Sequence, residues 1–254
     1  MEKPIVAGNW KMNGTISESL RLVSDMKDEL HRIPNVTKII FPPAVTLSSV
    51  SNLVYASSIE LGAQNMHHEI SGAFTGEISA SMVKENCSWV LVGHSERRVV
   101  FHESDEDIRR KLATALSYQI NPILCIGENE EHRESGHTQQ VLQDQLSRAT
   151  YKLATVDNLT VAYEPVWAIG TGKAATLDIV EETFSDLRSF METEWGSIAR
   201  NIPLMYGGSV NETNASVFAE SPLITGLLVG GASLNASAFI SLTRQFAETK
   251  VHQG

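Results

Sequence analysis

Apolar residues gather in short runs that recur from one end of the chain to the other, at 5–10, 38–41, 59–63, 89–93, 120–126, 159–163, 202–206 and 226–229. Most runs are continuous rather than alternating in polarity, which is the pattern of parallel strands covered on both faces. Longer polar stretches with helical spacing lie between them. Leu142, Leu146, Ala149 and Leu153 fall at i, i+4, i+7 and i+11, one face of a helix. Thr15 with Glu18, and Ser104 with Asp107, have the spacing of capping boxes and predict helices opening just after them. Parallel neighbours need a crossover, and a helix is the usual one, so strand runs alternating with helices predict repeated βα units.

Eight such units within 254 residues predict an α/β fold of one kind, a closed (β/α)8 barrel folded as a single domain over 1–254. An open doubly wound sheet would carry a glycine-rich phosphate loop after its first strand. Here that strand runs into Asn9, Trp10 and Lys11, and no linker or shift of composition divides the chain. Charge then narrows the partners. Lys and Arg number 20 against 30 Asp and Glu, a net charge of −10, which argues against a nucleic-acid or anionic membrane surface. A small anionic ligand would need a local positive site. The two cysteines, Cys87 and Cys125, form no CxxC, so neither a disulfide scaffold nor a thiolate zinc site is expected. No apolar run reaches the roughly 18 residues of a membrane span, and the apolar stretch at the start is too short for a signal peptide. A cytoplasmic setting is the expectation.

In a barrel of this kind chemistry gathers at the carboxyl ends of the strands. Just past the runs stand Asn9 and Lys11, then Gln64 and Asn65, then His94, Ser95 and Glu96. After them come Gly127 and Glu128, Glu164, Gly207, Gly208 and Ser209, and finally Gly230, Gly231, Ala232 and Ser233. Part of this concentration of polar and glycine residues is trivial, because strands end in turns. Each candidate has a plain alternative: a surface charge for Lys11, a structural imidazole for His94, a turn residue for Glu164, tight turns for the paired glycines. The functional reading joins them. Glycine lets backbone N–H groups approach phosphate oxygens, and a following helix start adds partial positive charge, so a chain of charge −10 can hold a dianion with dipoles and one lysine.

Other motifs fail on context. Residues 170–175 match G-x-G-x-x-A but follow Glu164-Pro165-Val166-Trp167 rather than leaving a strand directly, so a dinucleotide site is not supported. Gly93-His94-Ser95-Glu96-Arg97 has an arginine where a nucleophile elbow needs its second glycine. His132, Glu134 and His137 lie in a polar stretch with Gly136 and read as a solvated loop rather than a metal site.

Taken together the segments closely resemble the triosephosphate isomerase family. The matching stretches are AGNWKMNG at 7–14, GAQN at 62–65, GAFTGE at 72–77, GHSERR at 93–98, AYEPVWAIGTG at 162–172, YGGS at 206–209 and LVGGASL at 228–234. The resemblance implies a TIM barrel that interconverts dihydroxyacetone phosphate and D-glyceraldehyde 3-phosphate. It implies Glu164 as the base and His94 as the neutral electrophile. Asn9 and Lys11 would bind substrate, and Gly170, Ser209, Gly230 and Gly231 would hold the phosphate. Segment 165–175 resembles the family's lid. Residues 72–77 resemble a loop inserted into a second subunit, with Arg98 in its receiving site, which implies a homodimer. No cofactor or metal is implied. Relatives usually carry an acidic residue at the position of Leu223, paired with an arginine at Arg188, so the sequence predicts that Leu223→Asp would raise stability. A Schiff-base aldolase is the competing barrel chemistry, but the strand runs offer no lysine except Lys38 at one end. A barrel kept only for binding or assembly would have no need of Asn9, Lys11, His94 and Glu164 together.

Overall fold

Eight strands close on themselves in sequence order: β1 (Ile5–Asn9), β2 (Thr37–Phe41), β3 (Ile59–Ala63), β4 (Trp89–Val92), β5 (Asn121–Ile126), β6 (Thr160–Tyr163), β7 (Leu204–Tyr206) and β8 (Gly226–Val229). The computed structural model describes residues 3–168 and 175–252. Every pairing is parallel, and β1 completes the barrel by pairing with β8 from Ile5 opposite Gly226 to Gly8 opposite Val229. All eight predicted runs are strands of this closed (β/α)8 barrel.

The helices that return the chain are α1 (Ile16–Arg32), α2 (Leu47–Val54), α3 (Ala80–Asn86), α4 (Ser95–Val99), α5 (Asp105–Ser117), α6 (Glu130–Glu134), α7 (Thr138–Thr150), α8 (Leu177–Trp195), α9 (Ala215–Ala219) and α10 (Ala236–Val251). Both capping boxes are present. The Thr15 and Ser104 hydroxyls accept N–H groups of Glu18 and Asp107, whose carboxylates accept in return from the cap backbone. α1 buries Ser19, Val23, Met26 and Leu30 at helical spacing. α7 buries Leu142, Leu146 and Ala149 as predicted, but ends at Thr150, before Leu153. The stretch read as a solvated loop is in part the one-turn helix α6. Asn129 caps it by accepting the His132 N–H, and Glu130 and Glu131 in the first turn suit the positive end of the helix dipole.

The strands separate two cores. Ile5, Ala7, Ile39, Phe41, Leu91, Ile123, Cys125, Ala162, Met205 and Leu228 fill the barrel, while the alternate strand residues pack outward against the helices. Both faces are therefore apolar, which is why the runs read as continuous. Cys87 and Cys125 are buried and unpaired, and burial pushes the Cys87 thiol up to about 12. Among the described residues no helix is long and apolar enough to cross a membrane.

Candidate active site

The period of two that fills the barrel continues past its apolar floor. Ala7 is followed two residues later by Asn9, Ala162 by Glu164, Met205 by Gly207 and Leu228 by Gly230, so each polar or glycine position inherits the inward face of its strand. These residues line a cavity of ≈ 300 Å³ at the carboxyl ends of the strands, together with Lys11, His94 and Ser209. The backbone at Gly93 has φ +72°, where an L side chain is strained, and a Cβ there would press on Ile108 and Arg98. That turn brings His94 to the cavity as the residue that caps α4.

His94 Nδ1 accepts the backbone N–H of Glu96 at 3.3 Å. That nitrogen therefore carries no proton, and the proton of a neutral ring sits on Nε2. Nε2 faces Glu164 Oε1 at 2.9 Å, while Glu164 Oε2 accepts the Ser95 N–H at 2.8 Å. Both side chains are buried, at 7% and 2% exposure. Burial pushes the Glu164 carboxyl up, but His94 and the Ser95 N–H outweigh it and hold the carboxyl below the usual value. Burial likewise pushes His94 down, and the facing carboxylate more than reverses this. At each group the other partner is the largest influence opposing burial, so both shifts weaken when the two part. Gly127 gives β6 its room: a Cβ there would lie 1.8 Å from the Glu164 carbonyl oxygen.

Lys11 is the cation of the cavity. Its Nζ lies 2.6 Å from Glu96 Oε1. A Cβ on Gly230 would stand 3.7 Å from Lys11 Cε, so the lysine stem passes over the loop after β8. Asn9 Oδ1 accepts the Lys11 N–H at 3.0 Å. Ser209 and Gly231 line the same cavity from the loops after β7 and β8. The structure thus brings together Asn9, Lys11, His94, Glu164, Ser209, Gly230 and Gly231. Gly170, and the lid segment from 169 to 174, lie outside the described residues. Lys38, the one strand lysine among the described residues, is at the opposite end, its Nζ donating to the Ile33 carbonyl.

Two contributors carry no assigned role in the sequence. Glu96 holds Lys11 by its carboxylate and fixes the His94 tautomer by its N–H. Gln64 donates to the Lys11 carbonyl. Gln64 directly follows β3 and Glu96 lies in the first turn of α4 just past β4, and that placement with the matching stretches GAQN and GHSERR is the signal that points to them. Glu128, at the end of β5, does not line the cavity. It is buried, and Oε1 accepts from Tyr163 and Trp167.

The family model for triosephosphate isomerase matches residues 4–246. The chain belongs to the triosephosphate isomerase family. Similar relatives include the triosephosphate isomerase of Dehalococcoides mccartyi, 46% identical over 97% of this chain and 98% of that one. That of Chlamydia trachomatis is 45% identical over 96% and 90%. A crystal structure of triosephosphate isomerase from Bartonella henselae superposes with a TM-score of 0.88 at 37% identity, covering 96% of this chain and 99% of the other. The chain is accordingly an enzyme of the triosephosphate isomerase class.

Proposed function

We propose that the enzyme interconverts dihydroxyacetone phosphate and D-glyceraldehyde 3-phosphate through an enediolate, with Glu164 as base and His94 as neutral electrophile. The observation that carries the reading is the buried 2.9 Å contact between Glu164 and His94 Nε2 in a cavity that also holds Lys11. A ketose carbonyl entering between the two takes the Nε2 proton as a hydrogen bond and frees the carboxylate. Glu164 then removes a proton from the adjacent carbon, and the electron pair moves onto the carbonyl oxygen. His94 passes a proton between the two oxygens of the enediolate, and Glu164 returns its proton to the neighbouring carbon. Withdrawn from its two donors but still buried, the carboxylate becomes a stronger base at the moment it is needed.

Asn9 and Lys11 bind the substrate, Lys11 offsetting the charge of enediolate and phosphate. Ser209, Gly230 and Gly231, with Gly170 from the lid, hold the phosphate through hydrogen bonds. No cofactor or metal enters these steps. A coupled assay started with D-glyceraldehyde 3-phosphate in D2O tests the reading. Deuterium on the product carbon supports base and enediolate, because a proton held by Glu164 exchanges with solvent before it is returned in part of the turnovers; near-normal turnover by Glu164→Gln removes Glu164 from its role.

We further propose a homodimer in a cytoplasmic setting, built on residues 72–77. Those residues are exposed, Phe74 among them, and Met12, Val45 and Met82 offer further exposed apolar side chains. Sedimentation at sub-micromolar concentration should show a dimer; a fully active monomer there contradicts it.

A further inference from the structure

Lys11 has φ +53°, in the left-handed region that a lysine rarely adopts, and nothing in its own side chain favours that conformation. Two hydrogen bonds hold it there. Asn9 Oδ1 takes its N–H at 3.0 Å, and Gln64 Nε2 gives a hydrogen to its carbonyl at 2.8 Å. The same Gln64 nitrogen gives its other hydrogen to the Phe41 carbonyl at 2.8 Å, which also accepts the Trp10 N–H at 3.2 Å. One amide at the end of β3 thus ties the turn after β1 to the end of β2. The orientation is forced by chemistry, since an amide oxygen in that place would face two carbonyl oxygens. Gln64 itself is not among the residues that line the cavity.

We infer that Gln64 is a positioning residue for the phosphate-binding cation: by clamping the Lys11 carbonyl it keeps the lysine backbone left-handed, and so keeps its stem over Gly230. This rests on the reading of Lys11 as the substrate cation. Without the clamp the backbone relaxes to an ordinary conformation that points the ammonium away from the cavity. A ligand must then restore the strained form, and apparent affinity falls by the fraction of molecules still in it, roughly tenfold. At saturation the bound phosphate itself holds the lysine in place. The loss therefore falls on KM and leaves kcat within about threefold.

The test is a double-mutant cycle read by calorimetric titration with sn-glycerol 3-phosphate, an unreactive compound with the substrate's phosphate. Gln64→Met keeps the length of the side chain and removes both donors. It should weaken binding and raise KM by roughly tenfold in the wild-type background. In the Lys11→Met background the same change should cost less than twofold, because the residue it acts through is gone. Gln64→Glu keeps the volume and turns an acceptor toward two carbonyls; it serves should the methionine variant not fold, and should weaken binding more. Binding by either folded variant within twofold of wild type overturns the inference, as does an equal loss in both backgrounds. If Lys11→Met binds as tightly as wild type, the reading of Lys11 itself is at fault, an outcome distinct from failure of the clamp.

Discussion

At the carboxyl ends of the strands a buried carboxylate and a buried imidazole meet each other. At the amino ends four cations donate to backbone carbonyls. Lys38 donates to the Ile33 carbonyl, Lys84 to Gln119, Arg188 to Ala199 and Ile202, and Lys250 to Ser221. Each of these carbonyls lies in a connection that leads into a strand, and connections of that kind follow helix carboxyl ends, where negative dipole charge collects. Burial pushes Lys38 and Arg188 down and Lys250 down to about 8, so the carbonyls only partly replace water. The partners at this end are covalently part of the backbone and cannot be exchanged. At the other end the partners of Glu164 and His94 are each other, and a ligand that enters between them takes the place of both. The charges at the amino end fix loops, whereas the Glu164–His94 pair at the carboxyl end stays available for chemistry.

The comparison breaks most visibly at Glu164. Glu164→Gln keeps the shape and removes the proton acceptor, so turnover should fall by at least about 10²–10⁴-fold while sn-glycerol 3-phosphate still binds and the thermal midpoint stays near wild type. Steady-state rates and titration decide it; near-normal turnover contradicts the assignment of the base.

At the amino end the signs reverse. Arg188→Met leaves the carbonyls of Ala199 and Ile202 without their donor, which should cost about 1–3 kcal/mol of unfolding free energy and leave turnover within twofold. Denaturant unfolding measures the first and the coupled assay the second. A large loss of turnover at unchanged stability would erase the distinction between the ends.

Lys250 gives a smaller effect with a defined pH dependence. Its folded-state value of about 8 lies below the ordinary 10.5, so between these the unfolded chain binds more protons than the folded one. This group's contribution to stability therefore rises with pH across that window. The midpoint of wild type relative to Lys250→Met should climb from pH 8 to 10; a flat difference shows that Lys250 does not titrate there.

The smallest effect is expected at Leu223. The sequence alone predicts that Leu223→Asp stabilises, by supplying the partner that relatives place there. The structure changes that expectation. Two of the Arg188 donors are already held by carbonyls, and Leu223 packs against the outer core. The substitution should lower unfolding free energy by about 1 kcal/mol, the usual scale of a single change; a rise would restore the original expectation.

The fold was legible because a strand covered on both faces is apolar at every position, so eight runs stood out against amphipathic helices. Their edges were less so, for a reason visible at Ile120, Leu159 and Ile202. All three are buried and look like strand residues, yet their N–H groups turn back to Ala115, Val156 and Ala199, so they close the preceding turn. Asn9 and Glu164 were legible because they stand just past strand runs and within stretches that resemble the family. The roles of Glu96 and Gln64 were not. Each acts on Lys11 from 85 and 53 residues away, a separation that no local pattern encodes. The carbonyl-bound cations were hidden for the same reason, since a lysine that caps a distant turn has the same sequence surroundings as one on a solvated face.

The claim that the upper pair is exchangeable is tested most directly by titrating Glu164 itself. Isotope-edited infrared or carbon NMR spectra of its carboxyl should be followed with pH in the free enzyme and with sn-glycerol 3-phosphate bound. Removal of His94 and Ser95 as donors, with burial retained, should raise the Glu164 pKa on binding. A value that stays depressed in the complex would show that the contact survives the ligand, and that the carboxylate is a fixed structural charge like the partners at the other end.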